Sequence, residues 1–237
     1  MVSLNGKDVL IVGGSSGIGL ATAKLAAEAG ARVTIASRSQ DKLTAAASAI
    51  GRGVSARVLD AGDDASVAAF FADGRVWDHI VASAGQGGRG KLADLSMDAA
   101  LAAMNAKFWS YFRVARAAKI APGGSLTFVT GGLGSKPSPG ASLVSAVNAA
   151  VEGMTRGLAL DFAPTRVNTV SPGMVVTPLW DQFNDAQKQA LFDKAATNLP
   201  ARRVGQPEDL GHAILFVMTN PYTTGTVVHV DGGSMLL

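Results

Sequence analysis

The stretch Leu10-Ile11-Val12-Gly13-Gly14-Ser15-Ser16-Gly17-Ile18-Gly19 decides the fold of this chain. Three β-favouring aliphatic residues lead into spaced glycines, and a helical pattern follows. Strand, glycine turn and helix are the parts of a dinucleotide-binding unit, in which the glycines allow a tight turn and a close approach to a pyrophosphate. A plain turn is the alternative, but a second strand-like run at residues 33–36 favours the binding unit. The predicted cofactor loop comprises Gly13, Ser15, Ser16, Gly17, Ile18 and Gly19.

The composition narrows the class of protein. The chain has 237 residues, of which 48% are hydrophobic and 16% charged, which suits one domain with a large core. The net charge of +3 is scattered, so a nucleic-acid partner is not indicated. With no cysteine and no metal-ligand spacing, we expect no disulfide and no metal site. Without a signal-peptide pattern or a membrane-spanning run, we predict a soluble cytoplasmic protein with no membrane partner.

Apolar strand-like runs alternate with helical patterns along the chain. The predicted strands are 9–12, 32–36, 55–59, 79–82, 125–130, 166–170 and 227–230, and the predicted helices are 17–29, 40–50, 65–73, 97–119, 142–162, 185–196 and 207–219. Alternation of this kind predicts an α/β fold with a doubly wound parallel sheet, a single Rossmann domain over residues 1–237. Residues 178–200 interrupt the alternation and carry several aromatics, as either a substrate lid or an ordinary surface helix pair.

The end of the second predicted strand bears on the choice of cofactor. Ser37 and Arg38 stand about twenty residues beyond the glycine loop, where a dinucleotide site reads the adenosine ribose. An acidic residue there would accept from the 2′-hydroxyl and repel a 2′-phosphate. A hydroxyl and a guanidinium suit a phosphate instead. The alternative is a solvated arginine, but the spacing favours NADP(H) over NAD(H).

With these residues in view, the chain resembles the short-chain dehydrogenase/reductase family over essentially its full length. The glycine loop matches the family's cofactor fingerprint, and Asp60 with Ala61 matches its adenine-contacting position. The run Ala82-Ser83-Ala84-Gly85 stands where the family usually has Asn-Asn-Ala-Gly. The resemblance implies that the segment after the sixth strand holds the nicotinamide carboxamide, through Pro172, Gly173, Val175 and Thr177.

The resemblance also shows where the family's catalytic residues are missing. Members use a tyrosine to transfer a proton, a lysine four residues later to lower the pKa of that tyrosine and hold the nicotinamide ribose, and a serine to bind the substrate oxygen. Aligning residues 148–156 with the family places Gly131, Val144 and Asn148 at the serine, tyrosine and lysine positions. Asn105 matches the asparagine that supports the proton relay.

A test that needs no alignment also indicates that the catalytic tyrosine and lysine are missing. The chain has two tyrosines, Tyr111 and Tyr222, and Ala115 and Thr226 stand four residues beyond them, so no Tyr-x-x-x-Lys exists. A positioned proton donor contributes typically ~10²–10⁴-fold to rate. Asn148 can still form a hydrogen bond with a ribose hydroxyl but carries no charge. Lys107 and Tyr111, on the helix of Asn105, are expected to serve packing or an interface.

Two functions therefore remain open. The protein is either an NADP(H)-dependent oxidoreductase with an atypical or impaired proton relay, or a catalytically inactive NADP(H)-binding sensor, ligand binder or partner subunit. Restoring serine, tyrosine and lysine at 131, 144 and 148 is expected to create carbonyl reductase activity. By resemblance, the helices at 97–119 and 142–162 are expected to pack against a second subunit in a homodimer or homotetramer, the alternative being that they only cover the sheet.

Overall fold

The computed structural model describes residues 3–51, 53–85 and 88–237. The strands found there are β1 Asp8–Val12, β2 Arg32–Ser37, β3 Val54–Val58, β4 Val76–Ala82, β5 Lys119–Val129, β6 Arg166–Pro172 and β7 Val227–Val230. The helices are α1 Gly17–Glu28, α2 Gln40–Ile50, α3 Asp64–Phe71, α4 Met97–Met104, α5 Ser110–Ala117, α6 Ser142–Asp161, α7 Asp185–Asn198 and α8 Pro207–Thr219. A π-helical turn, Asn105–Trp109, joins α4 to α5, and 3₁₀ turns lie at Leu92–Asp94, Gly132–Gly134, Pro178–Trp180 and Ser234–Leu236.

The strands form one parallel sheet in the order β3-β2-β1-β4-β5-β6-β7. The strand order reverses direction between β1 and β4, and ligands of open α/β sheets bind beyond the carboxyl ends of the strands at such a point. This topology confirms the predicted doubly wound, Rossmann-type sheet in a single domain.

Alternating side chains of β1 show how both faces of the sheet are covered. Val9 and Ile11 pack into one core with residues of α1, α2 and α8, including Leu210. Leu10 and Val12 point to the opposite face and join a second core with residues of α3, α5 and α6. Because successive residues of a strand face opposite sides, a strand covered on both faces must be apolar throughout.

The predicted helix over residues 97–119 is wrong in its middle and at its end. The helix widens at the π-helical turn, where the hydroxyl of Ser110 donates to the carbonyl oxygen of Asn105 at 2.7 Å. It ends at Ala117, and Lys119 already pairs with Val76 as the first residue of β5. Pairing with a neighbouring strand therefore overrides the helical pattern at its last residues.

In the described ranges, no helix has the length and apolarity needed to cross a bilayer. The same residues contain no group of three or more histidines and carboxylates arranged to bind a metal ion. One buried histidine is paired inside the fold. The Nδ1 of His79 lies 2.9 Å from the Oγ of Ser125, and burial lowers the pKa of His79 to about 4.

Candidate cofactor and catalytic site

The glycine loop lies between β1 and α1, against the end of β4. Gly13 has a φ of +84°, and a Cβ at this position would lie 2.8 Å from the backbone nitrogen of Ala84. A Cβ on Gly19 would overlap the carbonyl oxygen of Gly13. Glycine is therefore required at both positions, by backbone conformation at the first and by the close approach of two backbones at both.

The first turn of α1 presents backbone N–H groups that no side chain caps. Ser16 occupies the N-cap but makes no side-chain capping bond, and the first turn holds no acidic residue. Ser15 is half-buried and Ser16 exposed beside it, and Ile18 packs partly against the core. Uncapped N–H groups and the positive end of the helix dipole suit an anion such as a pyrophosphate.

Ser37 and Arg38 lie at the carboxyl end of β2, next to the glycine loop. The Oγ of Ser37 is sealed from solvent and has no hydrogen-bond partner in the structure. Arg38 is exposed, and among the described residues its guanidinium has no carboxylate or carbonyl partner. The exposed Arg38 guanidinium is therefore open to an anion bound at this point, and the Ser37 hydroxyl, which has no partner to hold it, can reach the same anion by rotation about χ1.

The loop after β3 is fastened to the helix that carries Asn105. The Oδ1 of Asp60 accepts from the N–H of Gly62 at 2.9 Å, and the Nδ2 of Asn105 donates to the carbonyl oxygen of Gly62 at 3.2 Å. The Oδ1 of Asn105 accepts from Arg113 at 2.8 Å. The side chain of Asn105 therefore holds the predicted adenine loop in place.

The end of β4 forms the floor between these loops. Ala82 and Ala61 are buried in the second core, and the N–H of Ser83 donates back to β1 at 2.8 Å. Ala84 faces the glycine loop, and a Cβ on Gly85 would overlap the backbone of the π-helical turn. Small residues are needed here because three backbone segments meet.

The loop after β6 folds back over the glycine loop. Gly173, directly after Pro172, donates its N–H to β7 at 3.1 Å. A Cβ built on Gly17 would lie 3.3 Å from the Cγ2 of Thr177, which places this threonine over the start of α1. Within the described residues, the Val175 N–H and the Thr177 hydroxyl have no partner. The structure thus brings all the predicted cofactor residues to the carboxyl edge of the sheet.

The three residues predicted at the family's serine, tyrosine and lysine positions lie together beyond β5. Gly131 follows the strand in extended conformation, and Val144 and Asn148 are buried one turn apart on α6. A Cβ on Gly131 would lie 3.1 Å from the Nδ2 of Asn148. Neither Gly131 nor Val144 can donate a proton, so the amide of Asn148 is the polar group among the three.

Lys107 is the residue that the sequence interpretation missed. It lies in the π-helical turn, only 7% exposed, and its Nζ donates to the Oδ1 of Asn148 at 3.0 Å and to the carbonyl oxygen of Thr130 at 3.1 Å. Lys107 does point away from the face of Asn105, as helical spacing predicts, but on the opposite face it contacts Asn148, the residue predicted at the family's lysine position. Burial lowers the pKa of Lys107 to about 8, although the charge of buried Glu152 opposes this effect.

A stripe of buried residues could have revealed Lys107. The buried positions of this helical segment include Ala103, Lys107, Tyr111 and Val114, at spacings of three and four residues. A lysine on an apolar stripe needs a partner inside the protein. Tyr111 does serve packing: its hydroxyl donates to a β5 carbonyl at 3.0 Å, its ring stacks on Phe128, and burial raises its pKa far above the ordinary value.

Residues 178–200 border a cavity of about 450 Å³ beside Thr177. Trp180 lies in its wall, with ring centroids 6.3 Å from Phe183 and 5.9 Å from Phe192. Lys188 also lines the cavity and pairs with Asp185 at 3.0 Å. None of the residues of α7 is buried, so this helix covers the cavity without joining the core.

The fold and this edge define a doubly wound α/β protein of the dinucleotide-binding type. A family model described as enoyl-(acyl carrier protein) reductase matches residues 12–235. The short-chain dehydrogenase/reductase ATR9 of Stachybotrys chlorohalonatus is 33% identical over 256 residues, which cover 100% of both chains.

Solved structures agree with this match. The reductase/Diels-Alderase MalC of Malbranchea aurantiaca superposes with a TM-score of 0.90 at 33% identity, covering 99% of this chain and 98% of its own. A second solved structure is an NADPH-bound short chain oxidoreductase of Pseudomonas aeruginosa PAO1 that contains an atypical catalytic center. It superposes with a TM-score of 0.89 at 31% identity, again covering 99% of this chain and 98% of its own. The chain belongs to the short-chain dehydrogenase/reductase family of oxidoreductases, which confirms the resemblance.

Proposed function

We propose that the protein is an NADP(H)-dependent oxidoreductase that works without the family's tyrosine. The observation that carries this proposal is the exposed Arg38 guanidinium at the end of β2, which has no carboxylate partner among the described residues and stands next to the Ser37 hydroxyl. A 2′-phosphate would satisfy both, whereas a 2′-hydroxyl would leave the guanidinium without a counter-charge. The relative from Pseudomonas aeruginosa that binds NADPH supports the same cofactor.

The remaining cofactor residues fit a dinucleotide in one orientation. The pyrophosphate would lie on the uncapped N-terminus of α1, and the adenosine half would extend over β2 and β3 toward Asp60. The Val175 N–H and the Thr177 hydroxyl would hold the nicotinamide carboxamide. When bound, the nicotinamide would supply a hydride equivalent, and the cavity beside residues 178–200 would hold the substrate, with these residues as its lid.

The lack of an acidic side chain at position 144 restricts the substrate class. Val144 cannot protonate an alkoxide, so a plain ketone would be reduced slowly. A protonated imine takes up hydride without a further proton, and a conjugated C=C accepts hydride at carbon and then a proton from water. We therefore propose an imine or a conjugated C=C as the reducible group, with apolar surroundings matched to Trp180 and Phe192.

A second candidate function is an inactive NADP(H)-binding sensor, ligand binder or partner subunit. The buried Val144 favours it, because a reductase of this family without a hydroxyl at that position lacks its usual acid. Turnover separates the two candidates. NADPH oxidation with a cyclic imine or an enone supports the oxidoreductase. NADPH binding without turnover of either substrate class supports the inactive NADP(H)-binding protein.

Cofactor choice is tested by a thermal-shift titration with NADPH and NADH. Ligand at ~100 Kd stabilises by ~2.7 kcal/mol, which is roughly 5–10 °C for a chain of this size. The Arg38→Asp variant is expected to lose about 10–100-fold in NADPH affinity, with NADH affinity nearly unchanged. Lys119→Asp, the same charge change at the opposite edge of the sheet, is the control. Equal losses for both cofactors, or no shift with either, would refute the proposal.

A further inference from the structure

Lys107 restores a cation close to the position where Asn148 replaces a lysine, and it does so from another helix. Its Nζ is enclosed between α6 and the end of β5, with hydrogen bonds to Asn148 and to the Thr130 carbonyl. Thr130 also connects this amine to an acid, because its hydroxyl lies 3.4 Å from the Oε1 of buried Glu152. Ser135 donates to the other carboxylate oxygen of Glu152 at 3.3 Å. Lys107 is thus built into a closed polar cluster.

The amine fixes which way the Asn148 amide faces. A lysine ammonium donates and cannot accept, so it must meet the Oδ1 of Asn148 and never the Nδ2. The Nδ2 therefore faces away from Lys107, toward Gly131, where a Cβ would lie only 3.1 Å from it. Among the described residues this Nδ2 has no acceptor. The absence of a side chain at Gly131 leaves room beside this oriented N–H donor at the end of β5.

The sheet topology indicates what this donor meets. With the pyrophosphate at α1 and the adenosine half over β2 and β3, the other half of the dinucleotide must cross β4 toward β5. Strands lie ~4.8 Å apart, so the end of β5 is about 10 Å from β1, within reach of the nicotinamide ribose. The ribose hydroxyls are acceptors for an amide N–H.

We propose that Lys107 is a positioning residue that orients the Asn148 amide so that its N–H donates to a hydroxyl of the nicotinamide ribose. This inference rests on the proposed NADP(H) function. It assigns a role to a buried lysine two residues after Asn105, and it joins Gly131, Asn148 and Lys107 in one structural unit.

The test compares NADPH with adenosine 2′,5′-bisphosphate, which lacks the nicotinamide ribose. The Asn148→Asp variant keeps an oxygen for Lys107 but has no N–H, so a merely structural role would survive in it. We expect its NADPH affinity to fall about 5–10-fold, with unchanged affinity for the bisphosphate and an unchanged or higher melting temperature. Lys107→Met should also weaken NADPH binding selectively, because the amide loses its fixed orientation.

Thr155→Val is the matched control, since it removes a buried hydroxyl with two hydrogen bonds from the same helix. It should leave both affinities unchanged. NADPH affinity of Asn148→Asp within about twofold of the parent, or equal losses for both ligands, would overturn the inference. Selective loss in Asn148→Asp with none in Lys107→Met would refute the positioning role. Failure of the parent to bind either ligand would instead refute the proposed function.

Discussion

The Nζ of Lys107 and the Oδ1 of Asn148 are 3.0 Å apart although 41 positions separate the two residues in sequence. The bond joins the π-helical turn to α6 directly behind Gly131. An amine is therefore present near the family's lysine position, but it is buried and reaches the site through an amide.

This relationship changes the expected result of restoring the family's residues. In Gly131→Ser/Val144→Tyr/Asn148→Lys, the new lysine would face the ammonium of Lys107, and the serine Cβ would crowd residue 148. Two buried like charges at this distance are destabilising. We expect low stability and little ketone reduction from this triple variant.

Adding Lys107→Met to that variant should relieve the repulsion and give NADPH-dependent ketone reduction. The gain expected from a working proton donor is ~10²–10⁴-fold over the parent. Steady-state rates with a simple ketone, with melting temperatures for both variants, provide the check. A triple variant as stable and as active as the quadruple one would show that Lys107 does not occupy this position.

Lys107 should also give the protein a distinctive pH dependence of stability. Its pKa is about 8 in the fold against 10.5 for the ordinary group, so between these values the unfolded chain binds more protons. Stability therefore gains from rising pH in this window. Relative to Lys107→Met, the parent should gain about 2 kcal/mol from about pH 7 to about pH 9.5.

Urea unfolding of the parent and of Lys107→Met across this pH range measures the difference between their free energies of unfolding. Contributions from groups that both proteins share cancel in this difference. Parallel pH curves for the parent and Lys107→Met would contradict the depressed pKa.

The close approach of the Gly19 and Gly13 backbones predicts that a side chain at position 19 lowers both stability and NADPH binding. A Cβ there overlaps the Gly13 carbonyl, and neither backbone can move without disturbing β1 or α1. Gly19→Ala should cost about 1–3 kcal/mol of stability and abolish NADPH binding. Glu28→Ala, at an exposed position in the last turn of the same helix, should change stability by less than about 0.5 kcal/mol. Gly19→Ala with parental stability and NADPH affinity would be inconsistent with the close contact.

We also predict a homodimer or homotetramer that uses the outer face of α4 and α5. Leu101, Trp109 and Phe112 are 61%, 43% and 40% exposed there, and Trp109 and Phe112 pack edge to face. Leu101→Asp/Phe112→Asp should shift the light-scattering mass to a smaller species with little change in melting temperature. Val76→Asp, at the amino edge of the sheet, should retain the parental mass. A monomeric parent would contradict the prediction.

Much of the fold follows from local pattern. The apolar run before Gly13 and the spaced glycines after it specify a strand, a turn and a helix, and strands apolar on both faces require helices on both sides. The cofactor residues could be grouped from the sequence because the carboxyl ends of parallel strands share one edge. Ser37 and Arg38 are predicted in this way, by their distance from the glycine loop.

Local sequence pattern gave wrong predictions where contacts between distant segments decide the structure. The helical pattern at 97–119 continues through Lys119, but pairing with Val76 makes that residue part of β5. The same pattern places Lys107 opposite Asn105 without showing what lies on that side.

By itself, the sequence determined the doubly wound fold, the cofactor edge and the absence of the Tyr-x-x-x-Lys pair, because each depends on periodicity, spacing or residue identity. Only the tertiary structure decided that Lys107 reaches Asn148 and that Gly131 leaves space for the side-chain amide of Asn148. The physical reason is that these features depend on the packing of the π-helical turn, β5 and α6 against one another. Only that packing sets the burial of a side chain, its hydrogen-bond partners and the orientation of its amide.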